Sequence, residues 1–323
     1  MRHRGGSAPR RVGLMVGIVL AMLLSSLGYS ETVAGASGDP VIAAAGDIAC
    51  DPASTSYNGG AGTPKACREQ ATSDLLVNGG FAAVLDLGDN QYECGSLTAY
   101  DTSYNPSWGR LKSITHPAPG NHEYQTSGGT GCNSSNAGAA GYFKYFGAAA
   151  GPPGKGYYSL DIGNWHIISL NSQCGKVGCG PSSPQGVWLK NDLALHPTGC
   201  KLAFWHIPVF SSGATSSGAK AFWTLLYAAH ADLVLNGHYH AYERFDLQSP
   251  SGTATSNGIR EIIVGTGGVN HAGLRPEPPN TQVLNNTAFG VLELTLHPTS
   301  YAWKFMPVPG ASFSDSGTTA CHT

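Results

Sequence analysis

Residues able to carry chemistry fall at five places in this chain: Asp47, the run Asp89-Asn90-Gln91-Tyr92, the run Asn121-His122-Glu123, His206, and His238-Tyr239-His240. Carboxylates, an amide, a phenol and imidazoles are donors for divalent and trivalent metal ions. Asp89 has two oxygens and so can bridge two cations. Tyr92 lies close enough in sequence to offer a phenolate to a strongly Lewis-acidic ion. His238 and His240 can approach different ions of a close pair if the backbone turns there, and Gly237 is expected to permit that turn. Any one of these histidines alone reads better as a hydrogen-bonded structural residue. A Gly-Asp-Asn turn alone is usually only a turn. The argument rests on all five arriving together.

The elements that must position them can be read from apolar runs. Strands are expected at 41–45, 82–87, 201–205 and 232–235, and each ends next to one of the motifs. Open α/β sheets bind ligands beyond the C-terminal ends of their strands, which places the motifs along one edge of one sheet. Between the first two strands, 67–77 reads as a helix stopped by Asn78-Gly79-Gly80, giving a parallel β-α-β unit. Residues 157–162 and 165–170 flank Gly163-Asn164 as a hairpin. A helix is expected over 184–195, with Val187, Trp188 and Leu193 facing the sheet, and another over 219–230. Further strands are expected at 261–265, 289–296 and 301–306, the last two antiparallel. The Gly/Ser/Asn-rich stretch 125–140 is expected to be a loop at the rim of the site. There is no internal repeat and no long linker, so one mixed α/β domain is the economical reading.

Bulk properties narrow the setting. Arg2, Arg4, Arg10 and Arg11, an apolar run over 12–27 and Ala34-Gly35-Ala36 have the form of a cleavable export signal over 1–36, with 37–323 as the catalytic domain. A retained anchor is the alternative, and the twin-arginine or general route stays open. Cleavage would leave 14 basic and 19 acidic residues, a net charge of −5, and no stable membrane span. No basic stripe remains to serve as a dedicated nucleic-acid surface. The eight cysteines all follow the signal, and an even number in an exported chain implies up to four disulfides. Of the possible connectivities, proximity and loop context favour Cys50–Cys67, Cys94–Cys132, Cys174–Cys179 and Cys200–Cys321. Thiolate zinc ligation is disfavoured, because no paired C-x-x-C spacing occurs.

The motifs Gly46-Asp47, Gly88-Asp89-Asn90-Gln91-Tyr92, Gly120-Asn121-His122-Glu123, His206 and Gly237-His238-Tyr239-His240-Ala241-Tyr242-Glu243-Arg244, in this order, resemble the calcineurin-like metallophosphoesterases, and specifically their purple acid phosphatase branch. Many relatives carry a histidine two residues after the first aspartate. Here that position is Ala49 while Tyr92 is present, which points to the tyrosine-ligated branch. The resemblance implies a four-layer α-β-β-α sandwich of two mixed sheets and a site for two metal ions. One ion, with Fe(III) favoured, would take Asp47, Asp89, Tyr92 and His240. The other, Zn, Mn or Fe(II), would take Asp89, Asn121, His206 and His238. It further implies a small phosphate-ester substrate attacked by a hydroxide held between the ions, with His122 stabilising the transition state or protonating the leaving oxygen. Glu123 would orient neighbours or be a surface carboxylate. Phosphomonoesters are the first expectation, phosphodiesters such as nucleotides or lipid headgroups the alternative. An exported binding protein without catalysis is the alternative of another class. A mononuclear zinc peptidase is excluded for want of an H-E-x-x-H helix. Residues 208–216 lack the histidines that plant relatives carry there, and a separate N-terminal β-domain like theirs is not expected. Gly265-Thr266-Gly267-Gly268 is assigned a structural role.

Overall fold

Near-continuous apolar runs form strands that are covered on both faces, and the computed structural model, which describes residues 1–2 and 38–322, is built on several of them. The export-signal expectation falls almost wholly outside those residues. Among the described residues, thirteen strands make two mixed sheets. In the first, β1 (Val41–Ala45), β2 (Ala83–Asp86) and β3 (Thr115–Pro117) run parallel, and β1 continues antiparallel into β11 (Gly290–His297), β12 (Ser300–Pro307) and β13 (Ser316–Ala320). In the second, β5 (Trp165–Ser169), β6 (Cys200–Phe204), β7 (Leu233–Asn236) and β9 (Arg260–Val264) run parallel. Antiparallel strands flank them: β4 (Tyr158–Ile162) on one side, β8 (Tyr242–Phe245) and β10 (Thr281–Asn285) on the other.

Period-two alternation decides what each strand buries. On one face of the second sheet, Trp165, Ile167, Leu202, Phe204, Leu233 and Leu235 join Ile42, Leu85 and Leu292 of the first sheet in one core between the sheets. On the opposite face, Ile168, Ala203, Trp205 and Val234 pack under the helices Pro184–Leu195 and Lys220–Ala228. The outer side of the first sheet is covered by a wound segment, 100–114, whose Tyr100, Tyr104 and Trp108 recur every four residues and are fully buried. These are the four layers expected from the resemblance.

The helix Pro184–Leu195 begins where the sequence signals it. Ser183 Oγ accepts from the Gly186 N–H, and Pro184 opens the first turn without a missing donor. Its inward face is Gln185, Leu189 and Leu193, spaced four residues apart. Val187 is 47 % exposed, against expectation, because it falls about two residues, some 200°, from Gln185 and Leu189 around the axis. The helix expected over 67–77 is shorter, Glu69–Asp74.

All four disulfides pair as expected: Cys50–Cys67, Cys94–Cys132, Cys174–Cys179 and Cys200–Cys321. The last spans 121 residues and ties the tail after β13 to the start of β6. There Asp232 accepts from the backbone N–H of both Lys201 and His322, at 2.7 and 2.6 Å. Closing so long a loop restricts the unfolded chain most. The double variant Cys200→Ser/Cys321→Ser is therefore expected to lose about 2–5 kcal/mol of stability, read as a lower urea midpoint; an unaltered midpoint would mean the tail clip does not stabilise the fold.

Candidate metal centre

The C-terminal ends of β1, β2, β6 and β7 carry the expected residues, but they belong to two sheets, not one edge of one sheet. β1 and β2 deliver Asp47 and Asp89, β3 leads to Asn121 and His122, and β6 and β7 deliver His206 and the His238/His240 pair. The parallel segments of both sheets end at the same side of the sandwich, so the motifs meet between them.

Two groups of donor atoms result. In one, Tyr92 Oη lies 2.9 Å from Asp47 Oδ1, 3.2 Å from Asp89 Oδ2 and 3.1 Å from His240 Nε2. Asp47 Oδ1 is in turn 3.2 Å from His240 Nε2. In the other, His206 Nε2 lies 3.0 Å from Asp89 Oδ2, 3.2 Å from Asn121 Oδ1 and 3.2 Å from His238 Nδ1. Asp89 Oδ2 belongs to both. The seven residues expected to ligate are thus brought into one cluster, with Asp47, Asp89, Tyr92 and His206 buried and His240 22 % exposed.

Outer contacts aim these atoms. The N–H of His238 donates to Asp47 Oδ2 and that of His122 to Asp89 Oδ1, both at 2.8 Å, leaving the other oxygen of each carboxylate toward the cluster. His206 Nδ1 donates to the Leu87 carbonyl, which turns Nε2 toward the cluster. Asn270 Oδ1 faces His240 Nδ1 at 2.5 Å. Nothing in the sequence singles out Asn270, which sits in a loop beyond β9.

Glu123 is fully buried, not a surface carboxylate. Its two oxygens accept from the N–H groups of Asp89 (3.1 Å), Asn90 (2.9 Å), Gln91 (3.2 Å) and Gly120 (2.6 Å), and from the Tyr100 hydroxyl (3.2 Å). It therefore ties the turn after β2 to the loop that carries Asn121. Burial, reinforced by the Asp89 charge, raises its pKa to about 7.

The backbone here is strained. Asp47, Asp89 and His238 hold φ of 58°, 47° and 71°, a left-handed conformation that costs non-glycine residues of order 1–3 kcal/mol each. The turn expected from Gly237 is made by His238 itself. What Gly237 supplies is space, since a Cβ there would stand 2.7 Å from Asp47 Oδ2. Gly120 is needed likewise, as its Cβ would meet Asp89 Oδ1 at 2.1 Å. The loop after β9 has the structural role expected: Gly267 N donates to the Gly46 carbonyl, and Thr72 Oγ1 to that of Gly267.

The donor set fits cations. Burial opposes the charge on Asp47 and Asp89, yet His240 beside the first and His206 beside the second hold both carboxyls below their ordinary range. His206 is desolvated, but Asp89 lifts its pKa to about 9. Burial and the His206 charge then drive His238 down to about 4. Burial and both carboxylates keep the Tyr92 phenol protonated far above its usual pKa. A buried cation would reverse that balance, since positive charge favours phenolate and carboxylate and a neutral imidazole lone pair.

His122 stands beside the cluster. Its Nδ1 donates to the Glu93 carbonyl at 2.7 Å, its Nε2 lies 3.9 Å from Asp89 Oδ2, and its ring packs on Tyr92 with centroids 4.2 Å apart. The loop 125–140 is clasped by Cys94–Cys132 and by Asp51, which accepts from Thr130 N and Oγ1. The group Asp161, His166 and His196 lies apart from this centre; His166 is held between Asp161 and Asp192 at 2.8 Å each, a packed, structural arrangement.

Comparison with known proteins agrees with the geometry. Residues 41–242 match the family model of calcineurin-like phosphoesterases. Purple acid phosphatase 15 of Arabidopsis thaliana is 30 % identical over 257 residues, covering 65 % of this chain and 46 % of that protein. Probable purple acid phosphatase 20 of the same plant is 32 % identical over 164 residues, covering 46 % of this chain and 37 % of that protein. The chain thus spans less than half the length of these plant relatives. Among solved structures, a purple acid phosphatase from yellow lupin (Lupinus luteus) seeds superposes with a TM-score of 0.69 at 20 % identity, over 88 % of this chain and 54 % of that one. GAP50, the anchor in the inner membrane complex of Plasmodium, shares the fold with a TM-score of 0.58 at 14 % identity, over 88 % of this chain and 90 % of that one. With the family match covering most of the chain and its motifs gathered into one donor cluster, the protein belongs to the calcineurin-like phosphoesterase family.

Proposed function

We propose that this chain is an exported, metal-dependent phosphoric ester hydrolase that acts on phosphomonoesters through a two-metal site. The observation that carries the reading is the position of Asp89 Oδ2, 3.2 Å from Tyr92 Oη in one donor group and 3.0 Å from His206 Nε2 in the other. Asp47, Asp89, Tyr92 and His240 would hold one ion; Asp89, Asn121, His206 and His238 would hold the second. The first set, with two carboxylates and a phenol, suits Fe(III), and the second, with two imidazoles and an amide, suits Zn, Mn or Fe(II). When bound, such ions supply Lewis acidity toward the phosphoryl oxygens and lower the pKa of the attacking water.

The remaining work falls to the chain. Glu123 fixes the turn bearing Asp89 relative to the loop bearing Asn121, so the two donors stay in register. His122 keeps Nδ1 on the Glu93 carbonyl and Nε2 toward the cluster. That atom is placed to stabilise charge on the phosphoryl group and to pass a proton to the leaving oxygen, a role worth about 10²–10⁴ in rate. Export is supported by the four disulfides, which persist in oxidising compartments. In this reading a signal over 1–36 precedes a catalytic domain over 37–323.

Asp89→Ala is expected to lower turnover by more than about 10²-fold, beyond the usual loss of an outer contact, and to take metal content from two ions per chain toward one. Elemental analysis with parallel assays on phenyl phosphate and diphenyl phosphate reads this out. Wild type should favour the monoester, and equal turnover by wild type and variant would rule out the site as drawn. Tyr92→Phe should abolish the visible tyrosinate-to-Fe(III) band of iron-loaded protein, while a persisting band would locate the chromophore elsewhere. Glu123→Gln replaces one of two oxygens with an NH₂ that faces two backbone N–H donors, and chelator competition should show metal affinity weakened about 10–100-fold. Unchanged affinity would leave Glu123 a packing residue only.

A further inference from the structure

Next to the donor cluster lies a cleft of about 330 Å³, bounded on one side by His238 and His240 and on the other by Leu274 and Arg275. That volume sits at the small end of the ~300–1,000 Å³ typical of small-molecule pockets. Its walls are fixed by hydrogen bonds from within the fold. The Tyr239 hydroxyl donates to the Gly273 carbonyl at 3.2 Å, Asn286 Nδ2 to the Ala272 carbonyl at 2.8 Å, and Ala272 N to the His240 carbonyl at 3.0 Å. Opposite, Gly213 lies flat on the Tyr239 ring, where a Cβ would come within 2.6 Å. The residue before it, Ser212, donates through N and Oγ to the buried Glu243 at 2.9 and 2.6 Å. The cleft is therefore preformed.

Its charge is one-sided. Among the described residues, Arg275 is, apart from the two histidines, the sole one lining the cleft that is ionised across the neutral range, and no carboxylate lines it. Glu277, two residues on, acts on the Tyr239 phenol from outside the lining. Leu274, 67 % exposed, adds an apolar edge next to the arginine. A guanidinium presents a planar fork that matches carboxylate or phosphate oxygens two at a time.

We infer that this cleft receives the organic part of the substrate, and that Arg275 pairs with a second anionic group on it. The substrate class is then a phosphomonoester on a ring-sized scaffold bearing a further phosphate or carboxylate. The inference rests on the hydrolase reading and deepens it. Hydrolysis would form one P–O bond to water and break the P–O ester bond beside the donor cluster, the leaving oxygen taking a proton, while Arg275 lines the adjoining cleft. It is a specificity residue.

The test uses metal-loaded full-length enzyme and three aryl monoesters of similar size: phenyl phosphate, 4-carboxyphenyl phosphate and 1,4-phenylene bisphosphate. For each, kcat/KM of Arg275→Gln and Arg275→Glu is divided by that of wild type, which cancels leaving-group differences. The quotient for at least one ester bearing a second anionic group should fall about tenfold or more below that for phenyl phosphate, the scale expected when a charge-assisted contact is lost. The fall should be larger for Arg275→Glu. A fall confined to the carboxylate or to the bisphosphate supports the inference and identifies the second group. Quotients that agree within twofold across all three esters, in both variants, overturn it while leaving the hydrolase reading in place. A loaded wild type that hydrolyses none of the three overturns that reading and this inference together.

Discussion

Burying a carboxylate is costly unless its oxygens are hydrogen-bonded or offset by positive charge, and Asp89 must meet that condition while keeping one oxygen turned toward two donor groups. Its Oδ1 is occupied by the His122 N–H, and its own N–H is held by Glu123. Glu123 is itself buried and accepts five donors. One carboxylate is thus positioned by another, and the second is satisfied by the backbone of the very turns that carry the ligands. The left-handed backbone at Asp47, Asp89 and His238 persists because the surrounding hydrogen bonds over-determine it. Without cations the cluster holds two ionised carboxylates, a protonated phenol and imidazoles pushed in opposite directions, a balance that suits a site shaped for charge it does not itself supply.

The parts of this fold that were legible in the sequence are those whose signal is local. The strands β1, β6 and β7 announce themselves because both faces are buried, and the β4–β5 and β11–β12 hairpins because short turns separate apolar runs. The disulfides follow from proximity along the chain, with the tail cysteine left for Cys200. Other elements carry no such signal. The edge strand β13, Ser316–Ala320, is made of small and polar residues with alternating exposure, and only its pairing with β12 makes it a strand. β3 is three residues ending in proline, and β8 lies inside a motif whose residues look chosen for chemistry.

At the site, identities were legible and environments were not. The donor types and their order pointed to the cluster, yet which sheet each ligand belonged to depends on strand order, and strand order depends on contacts far apart in sequence. Glu123 could be read as buried or exposed with equal justice, because a carboxylate gains its burial only from N–H groups that other segments bring to it. Asn270 was invisible for the same reason. Gly237 shows a subtler failure: glycine was read as freedom of φ, whereas the fold uses its missing side chain and strains His238 instead.

Fold and chemistry are separable here, and the division between strands and loops shows where. The architecture also serves an anchor protein in Plasmodium, so the sandwich by itself argues for no activity. The donor cluster is built from strand ends and the turns directly after them, which the two sheets hold rigidly. The adjoining cleft is built largely from connections, around Gly213 on one side and 272–275 on the other, where the Leu274 and Arg275 side chains are exposed. On the proposed reading, reaction type is set by parts of the molecule that packing constrains, and substrate choice by the exposed loop side chains beside them. For that reason the lack of histidines in the segment 208–216 bears on what this protein recognises, while the intact donor set bears on what it does.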